Sequence, residues 1–562
     1  MYASLPGVTK SEPSPGAQSL SPRPALGRTP SSAGTPTAND PRHAYPQEAR
    51  QPSGATYTTE TQPNQAEQDL DEAVHVWEAD GPMRGRTHYS WSLLKTESLL
   101  RGIQNVPTTP SRGQQDIMLD AQSKSIVAEF PSPDLCRRLA TRYFETFGTV
   151  YHLLDQEEFW TLLERSLIDP RTTPLCFALR ALVVFAIGNS TVPFEEAPLP
   201  RTLTLRWLEL ASPTTTIALE TASEFDVEAI RTWTLINLAR QTISSNEMAD
   251  YVSAGGAVKA AMACGMHRID ARIQLSQDAY DRTMLFHAAV DLDLTASITA
   301  GLPPTKHGPD NSLGKRNCCE YRDSPSSDET RAALYGSICV RYKILDCLNR
   351  DASLSYWQVQ ELADELTRSM SAVALQRPWD KQSSFLLEYT TATYRRYLFA
   401  LHRPFADLAQ STRIVSELAR KQILDNIQYW TEGGSRSPMA ALFLGYGVTA
   451  HADILNALCY YWWSVRKAEN DMSSVVNRAL QFVARDDSEY TLERFCRHSQ
   501  QMHWTHRDSW LIYSIAEMAT AHVRIARHYP VDSPGYEEAM HLARLDVRER
   551  LVRVAASRDQ LR

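Results

Sequence analysis

From residue 131 to the end of the 562-residue chain, apolar side chains recur three and four positions apart and almost nowhere alternate. That period restricts the chain to helices that bury one face against other helices. Ser132-Pro133 reads as an N-cap followed by a first-turn proline, and Leu135, Leu139, Tyr143 and Phe147 then line one face. Asp155 with Glu158 resembles a capping box, and Phe159, Leu162, Leu163 and Leu167 continue the stripe. Pro174 opens an apolar helix through Leu179, Leu182, Val183 and Ala186, with Gly188-Asn189 as the predicted stop. Helices are also predicted near 197–211, 226–244, 247–265 and 277–300. After a polar loop at 303–327 they continue over 328–349, 354–373, 381–402, 410–432, 438–465, 471–484, 507–528 and 534–558. Only 241–245 tolerates a strand, and no fixed-period repeat is visible. The expected fold is all-α, a large multi-helix body of packed antiparallel helices.

The beginning of the chain has a different texture. Residues 1–80 start with eleven prolines among Ser, Thr, Gly, Ala and Gln and close on an acidic stretch, Glu67 to Asp80, that carries Leu70, Val74, Val76 and Trp77. So little apolar surface cannot offset the entropy of ordering, and disorder is expected. Ser21-Pro22, Thr29-Pro30 and Thr35-Pro36 suit proline-directed kinases, or are linker composition. The acidic stretch suits weak docking to a coactivator groove, or is an ordinary acidic linker. Residues 81–130 read as a linker with one short helix from Trp91 to Ile103, followed by a regulatory body at 131–410 and a helical continuation at 411–562.

Several function classes find no residues to rest on. The net charge is −8, and Arg137-Arg138, Lys315-Arg316 and Arg395-Arg396 are isolated doublets, read as solvated helix faces rather than a phosphate-binding stripe. No run of about 18 apolar residues spans a membrane, and the start has no basic-then-apolar leader. The nine cysteines are scattered and odd in number, which fits reduced thiols. Gly255-Gly256 lacks the Lys-Ser/Thr of a phosphate loop, and neither a zinc-protease nor a nucleophile-elbow motif occurs. Adjacent Cys318-Cys319 and the pair Cys264 with His267 fall short of a tetrahedral zinc set. No catalytic, cofactor or metal residue is therefore expected, and the chain is not expected to be an enzyme. Tyr460-Tyr461-Trp462-Trp463 reads as core packing in preference to a ligand pocket.

Three segments resemble, in order, the middle homology region of fungal zinc-cluster transcription factors. Ala254 to Arg268 is a small-residue helix that closes on Gly265, His267 and Arg268, similar to the family's Leu-Gly-Leu-His-Arg turn; Gly265 suits a left-handed cap. Arg282 to Pro304 has Asp293 at the family's acid position and Gly301-Leu302-Pro303 where the family has Gly-Arg-Pro, while Phe286-His287 replace a Trp pair. Tyr394 to Phe405 closes on Leu401, His402, Arg403 and Pro404 as the family's helix does. Weaker likeness extends to Gly85–Trp91 and Val150–Phe159.

The resemblance implies a helical regulatory domain that tunes transcription, sometimes through a small-molecule effector, in the nucleus. The family reads DNA through an N-terminal cluster of six cysteines and two zinc ions, whereas the first cysteine here is Cys136. DNA binding by this chain alone is thus not expected. The expectation is a regulator or co-regulator of a metabolic or secondary-metabolite gene cluster, partnered by a zinc-cluster DNA-binding factor or the transcription machinery. A non-transcriptional sensor or scaffold, or a truncated form of a DNA-binding factor, is the alternative.

Overall fold

The chain divides into two units, Met1–Val74 and His75–Arg562. The computed structural model describes residues 126–559 except 193–197, 222–226, 244–245, 269–276, 307–325, 350–353, 372–384, 432–436, 445–446, 471–487, 498, 500–506 and 532. The expectations for residues 1–80, for the helix Trp91 to Ile103 and for 471–484 lie outside those residues, as do Lys315-Arg316 and Cys318-Cys319.

Every regular element among the described residues is helical. In chain order they are α1 Pro133–Glu145, α2 Phe147–Tyr151, α3 Gln156–Ile168, α4 Leu175–Ser190, α5 Arg201–Thr221, α6 Val227–Ile243, α7 Glu247–Ala263 and α8 Gln277–Ala300. They continue as α9 Ser326–Gly336, α10 Ile338–Leu348, α11 Tyr356–Ser369, α12 Phe385–His402, α13 Ala409–Thr431, α14 Pro438–Leu444, α15 Val448–Asn470, α16 Arg507–Ile525 and α17 Pro534–Asp559. The body is all-α, as the apolar period requires. Two predicted helices are each divided: 328–349 at Ser337, and 438–465 ahead of Gly447.

Local chemistry explains several starts. The Asp155 carboxylate accepts the Glu158 amide at 2.7 Å, satisfying one of the orphan donors of α3. Ser355 and Gln358 form a full capping box at the start of α11. The Ser132 side chain makes no cap bond, and Pro133 alone marks the start of α1.

Packing departs from the local reading at Gly188. Helix α4 ends at Ser190, one residue beyond Gly188-Asn189, but Gly188 is still helical and is buried against the Leu139 carbonyl of α1. Gly256 plays the same part on α7, where the Trp233 ring occupies the space that a Cβ would need. The aromatic block packs as core, with Tyr460, Tyr461 and Trp462 all buried.

Helix α8 is the hub: α6, α7, α10 and α15 all pack on it, and every residue from Thr283 to Gly301 is buried. A helix buried all round is normally apolar all round. This one carries Asp291 and Asp293, with 0% and 1% of their surface exposed. Buried carboxylates must be paired or neutralised, and their partners organise the interior.

Candidate functional site

Asp291 is answered directly by two elements, α2 and α10, and α12 backs them. One carboxylate oxygen accepts the Tyr151 hydroxyl of α2 at 2.7 Å, and the other accepts the Arg341 guanidinium of α10 at 2.5 Å. Arg341 also donates through Nε to the Ser337 hydroxyl at 3.0 Å and through Nη2 to the Leu334 carbonyl at 2.9 Å, and its head lies 5.6 Å from the centre of the Tyr397 ring of α12. Tyr389, also on α12, bonds the Tyr151 hydroxyl at 2.7 Å. Burial opposes the charge on Arg341, but the Asp291 carboxylate with Tyr397 and Tyr151 together hold the guanidinium above its ordinary value. Burial and Asp291 together push the Tyr151 phenol well above its usual range, so it stays a donor. The knot ties α2, α8, α10 and α12.

Asp293 faces the other side, toward α7 and the turn that follows α8. Its two oxygens accept the Thr305 amide at 2.8 Å and the Thr305 hydroxyl at 3.3 Å. Gly301 makes the turn possible with φ of 71°, and the Leu302 amide returns to the Ser297 carbonyl at 3.0 Å. The Tyr251 hydroxyl donates to the Pro303 carbonyl at 2.8 Å. A Cβ on Gly255 would stand 2.8 Å from the Thr305 hydroxyl oxygen, so the small-residue stretch of α7 exists to admit this corner. Asp293, Gly301 and Pro303 therefore meet in one place.

Burial pushes the Asp293 carboxyl up to about 6, against the Thr305 bonds and the Lys259 charge. With the folded value above the unfolded 3.8, the native state binds the proton more tightly. The stability this supplies is full below the unfolded value and is lost as pH rises through about 6. Asp293→Asn keeps an acceptor for Thr305 but removes the titration. Between about pH 5 and 7.5, wild type should lose roughly 1 kcal/mol relative to Asp293→Asn in paired urea melts. Parallel curves would count against the assignment.

The other motif residues lie at separate helix ends. Gly265 takes φ of 73° and closes α7, its amide returning to the Met262 carbonyl at 2.9 Å. His267, half-buried, and Arg268 follow in a short 3₁₀ turn whose buried anchor is Met266. His402 ends α12 buried, its Nδ1 3.2 Å from the Ser411 hydroxyl, and burial lowers its proton affinity. Arg403 is buried and donates to the Asn456 side-chain oxygen of α15 at 3.1 Å; Pro404 is exposed. The motif residues thus shape turns rather than converge on one ligand.

The Arg395-Arg396 doublet is not a solvated face. Arg395 pairs with the buried Asp425 of α13, and Arg396 grips both oxygens of Asp453 of α15 at 2.7–3.1 Å. Burial raises the Asp425 carboxyl to about 6 even with Arg395 beside it. Two small cavities, of about 20 and 50 Å³, flank the Arg396–Asp453 pair. Sequence reasoning passed over Asp291, Arg341, Asp453 and Tyr151. The available signal was charge inside apolar helices: Val340-Arg341 follows Ile338 and precedes Ile344 and Leu345, leaving Arg341 no polar face to occupy.

Among the described residues, no group of three or more His, Cys, Asp or Glu is placed to hold a metal, and no helix is long and apolar enough to cross a membrane. No protein-family model matches the sequence. The chain is 25% identical over 346 residues to the transcription factor opdR of Penicillium oxalicum, covering 56% of this chain and 43% of that protein. It is 23% identical over 431 residues to the transcription factor lepE of Aspergillus flavus, covering 68% and 51%. It is 26% identical over 382 residues to the transcription factor tenR of Beauveria bassiana, covering 59% and 43%. The chain spans about half the length of the curated relatives it matches. Matches of this length cannot fit within residues 1–125, so they run into the helical body. What the chain is similar to, through that body, is a set of fungal transcription factors.

Proposed function

We propose that this chain is a transcriptional regulator or co-regulator whose helical body, centred on residues 131–410, is a middle homology region acting in the nucleus. The similarity to three proteins named as transcription factors carries the reading. The internal chemistry supports it: Arg341, Arg395, Arg396 and Arg403 are committed to acceptors inside the protein, and the net charge is −8. Such a body is suited to contacting proteins, with phosphate-directed DNA contact supplied by a zinc-cluster factor. Control of a metabolic or secondary-metabolite gene set is the biological role proposed.

Tethering the full chain to a foreign DNA-binding domain should change a reporter several-fold in either direction. Promoter occupancy should also fall when the DNA-binding partner is deleted. An inert tethered chain sinks the regulatory reading, and occupancy that survives loss of every zinc-cluster partner sinks the partner form of it.

A further inference from the structure

Helix α14 begins at Pro438, and the side chain of the preceding Ser437 does two things at once. Its Oγ accepts the Met439 amide at 3.1 Å, and its hydroxyl donates to Oε2 of Glu388 on α12 at 2.8 Å. Ser437 and Pro438 are half-buried, whereas Glu388 has 7% of its surface exposed. Helix α14 has only seven residues, too few to hold together alone in water. Its contacts with α12, α13 and α15 keep it in place, with Met439, Ala441 and Leu442 buried.

Ser-Pro is the dipeptide that proline-directed kinases modify, and among the described residues it also occurs at 132, 212 and 533. Those three differ in what the hydroxyl touches. Ser132 makes no cap bond, Ser212 donates to the Leu208 carbonyl within α5, and Ser533 accepts the Tyr536 amide. At Ser437 the hydroxyl rests on a carboxylate instead. A phosphoryl group there sets a charge of about −1.5 to −2 against a carboxylate that little water reaches. The amides of a helix start attract phosphate, but that attraction is modest. Repulsion between two anions in a water-poor setting is larger. Turning the side chain outward would give up both the Glu388 bond and the Met439 cap.

We propose that Ser437 is a phosphorylation site for a proline-directed kinase and that its modification releases α14. The γ-phosphoryl group passes from ATP to Oγ, ADP leaves, and the hydroxyl proton goes to the kinase's base. The kinase reaches the hydroxyl when α14 opens, and the phosphate then blocks its return beside Glu388. Met439, Ala441 and Leu442 leave the interior with it. Use of this release in transcriptional control rests on the regulatory reading above, but the modification itself does not.

The test treats the full chain with a mitogen-activated protein kinase and ATP, locates phosphate by mass spectrometry and follows amide exchange over 438–444. Ser437 should carry phosphate, and exchange over α14 should quicken about tenfold. Ser437→Asp should act in the same direction, while Ser437→Asn, equal in size and uncharged, should keep α14 protected to within about threefold. Adding Glu388→Gln to Ser437→Asp removes the second charge and should restore most of the protection. Absence of phosphate on Ser437, phosphate without faster exchange, equal behaviour of the Asp and Asn variants, or no recovery with Glu388→Gln overturns the proposal. Phosphate-driven opening with an inert tethered reporter supports the site and removes only its regulatory use.

Discussion

Asp291→Ala should cost the helical body about 3–5 kcal/mol, the expected effect of removing one partner from a buried ion pair. The carboxylate is fully enclosed, and its loss strands the Arg341 guanidinium, with 0% of its side chain exposed, beside Tyr397. The Tyr151 hydroxyl loses its charged acceptor in the same step and keeps only Tyr389. Four helices share the knot, so the damage should not stay local. Urea unfolding followed by circular dichroism and tryptophan fluorescence should show a large drop in midpoint. The double substitution Asp291→Leu with Arg341→Met should regain most of the loss, because two apolar groups leave no charge to strand. A single substitution that costs less than about 1 kcal/mol would falsify the claim that the pair is enclosed.

Gly188→Ala should destabilise by about 2 kcal/mol even though alanine is the better helix former by nearly 1 kcal/mol. The added Cβ would lie 2.1 Å from the Leu139 carbonyl oxygen and 2.9 Å from its carbon. That neighbour is main chain in the middle of α1 and cannot swing aside as a side-chain tip can. The two helices must separate, loosening the contact that buries Leu139, Ala140 and Tyr143. Trimming the neighbour with Leu139→Ala should therefore give no rescue. Rescue by that second substitution would show the contact to be made by the side chain, contrary to the geometry.

Legibility in the sequence varied with the range of the force involved. Gly265 was readable because a left-handed helix cap is a local event, set by the absence of a Cβ within a few bonds. Asp293 was placed by its motif, yet nothing near it announced Thr305, which reaches it only after the Gly301 turn. Asp291, two residues earlier, carried no motif at all, and its partner is 50 positions away. Gly188 was read only as part of a stop, which the helix end at Ser190 nearly meets; its place at the crossing with α1 was not legible, because glycine at a helix end and glycine at a helix crossing look alike in one dimension. The Arg395-Arg396 doublet was misread for a related reason: doublets are usually solvated, and only the arrival of α13 and α15 encloses this one.

By itself, then, the order of residues determined the all-α body, where most of its helices run and the left-handed cap at Gly265, because apolar periodicity and backbone sterics act within a few turns of chain. Only the tertiary structure decided which charges are buried and which acid answers which arginine. Those outcomes depend on removing water from groups far apart in sequence. Coulomb and desolvation energies are large only once neighbouring helices have closed around them.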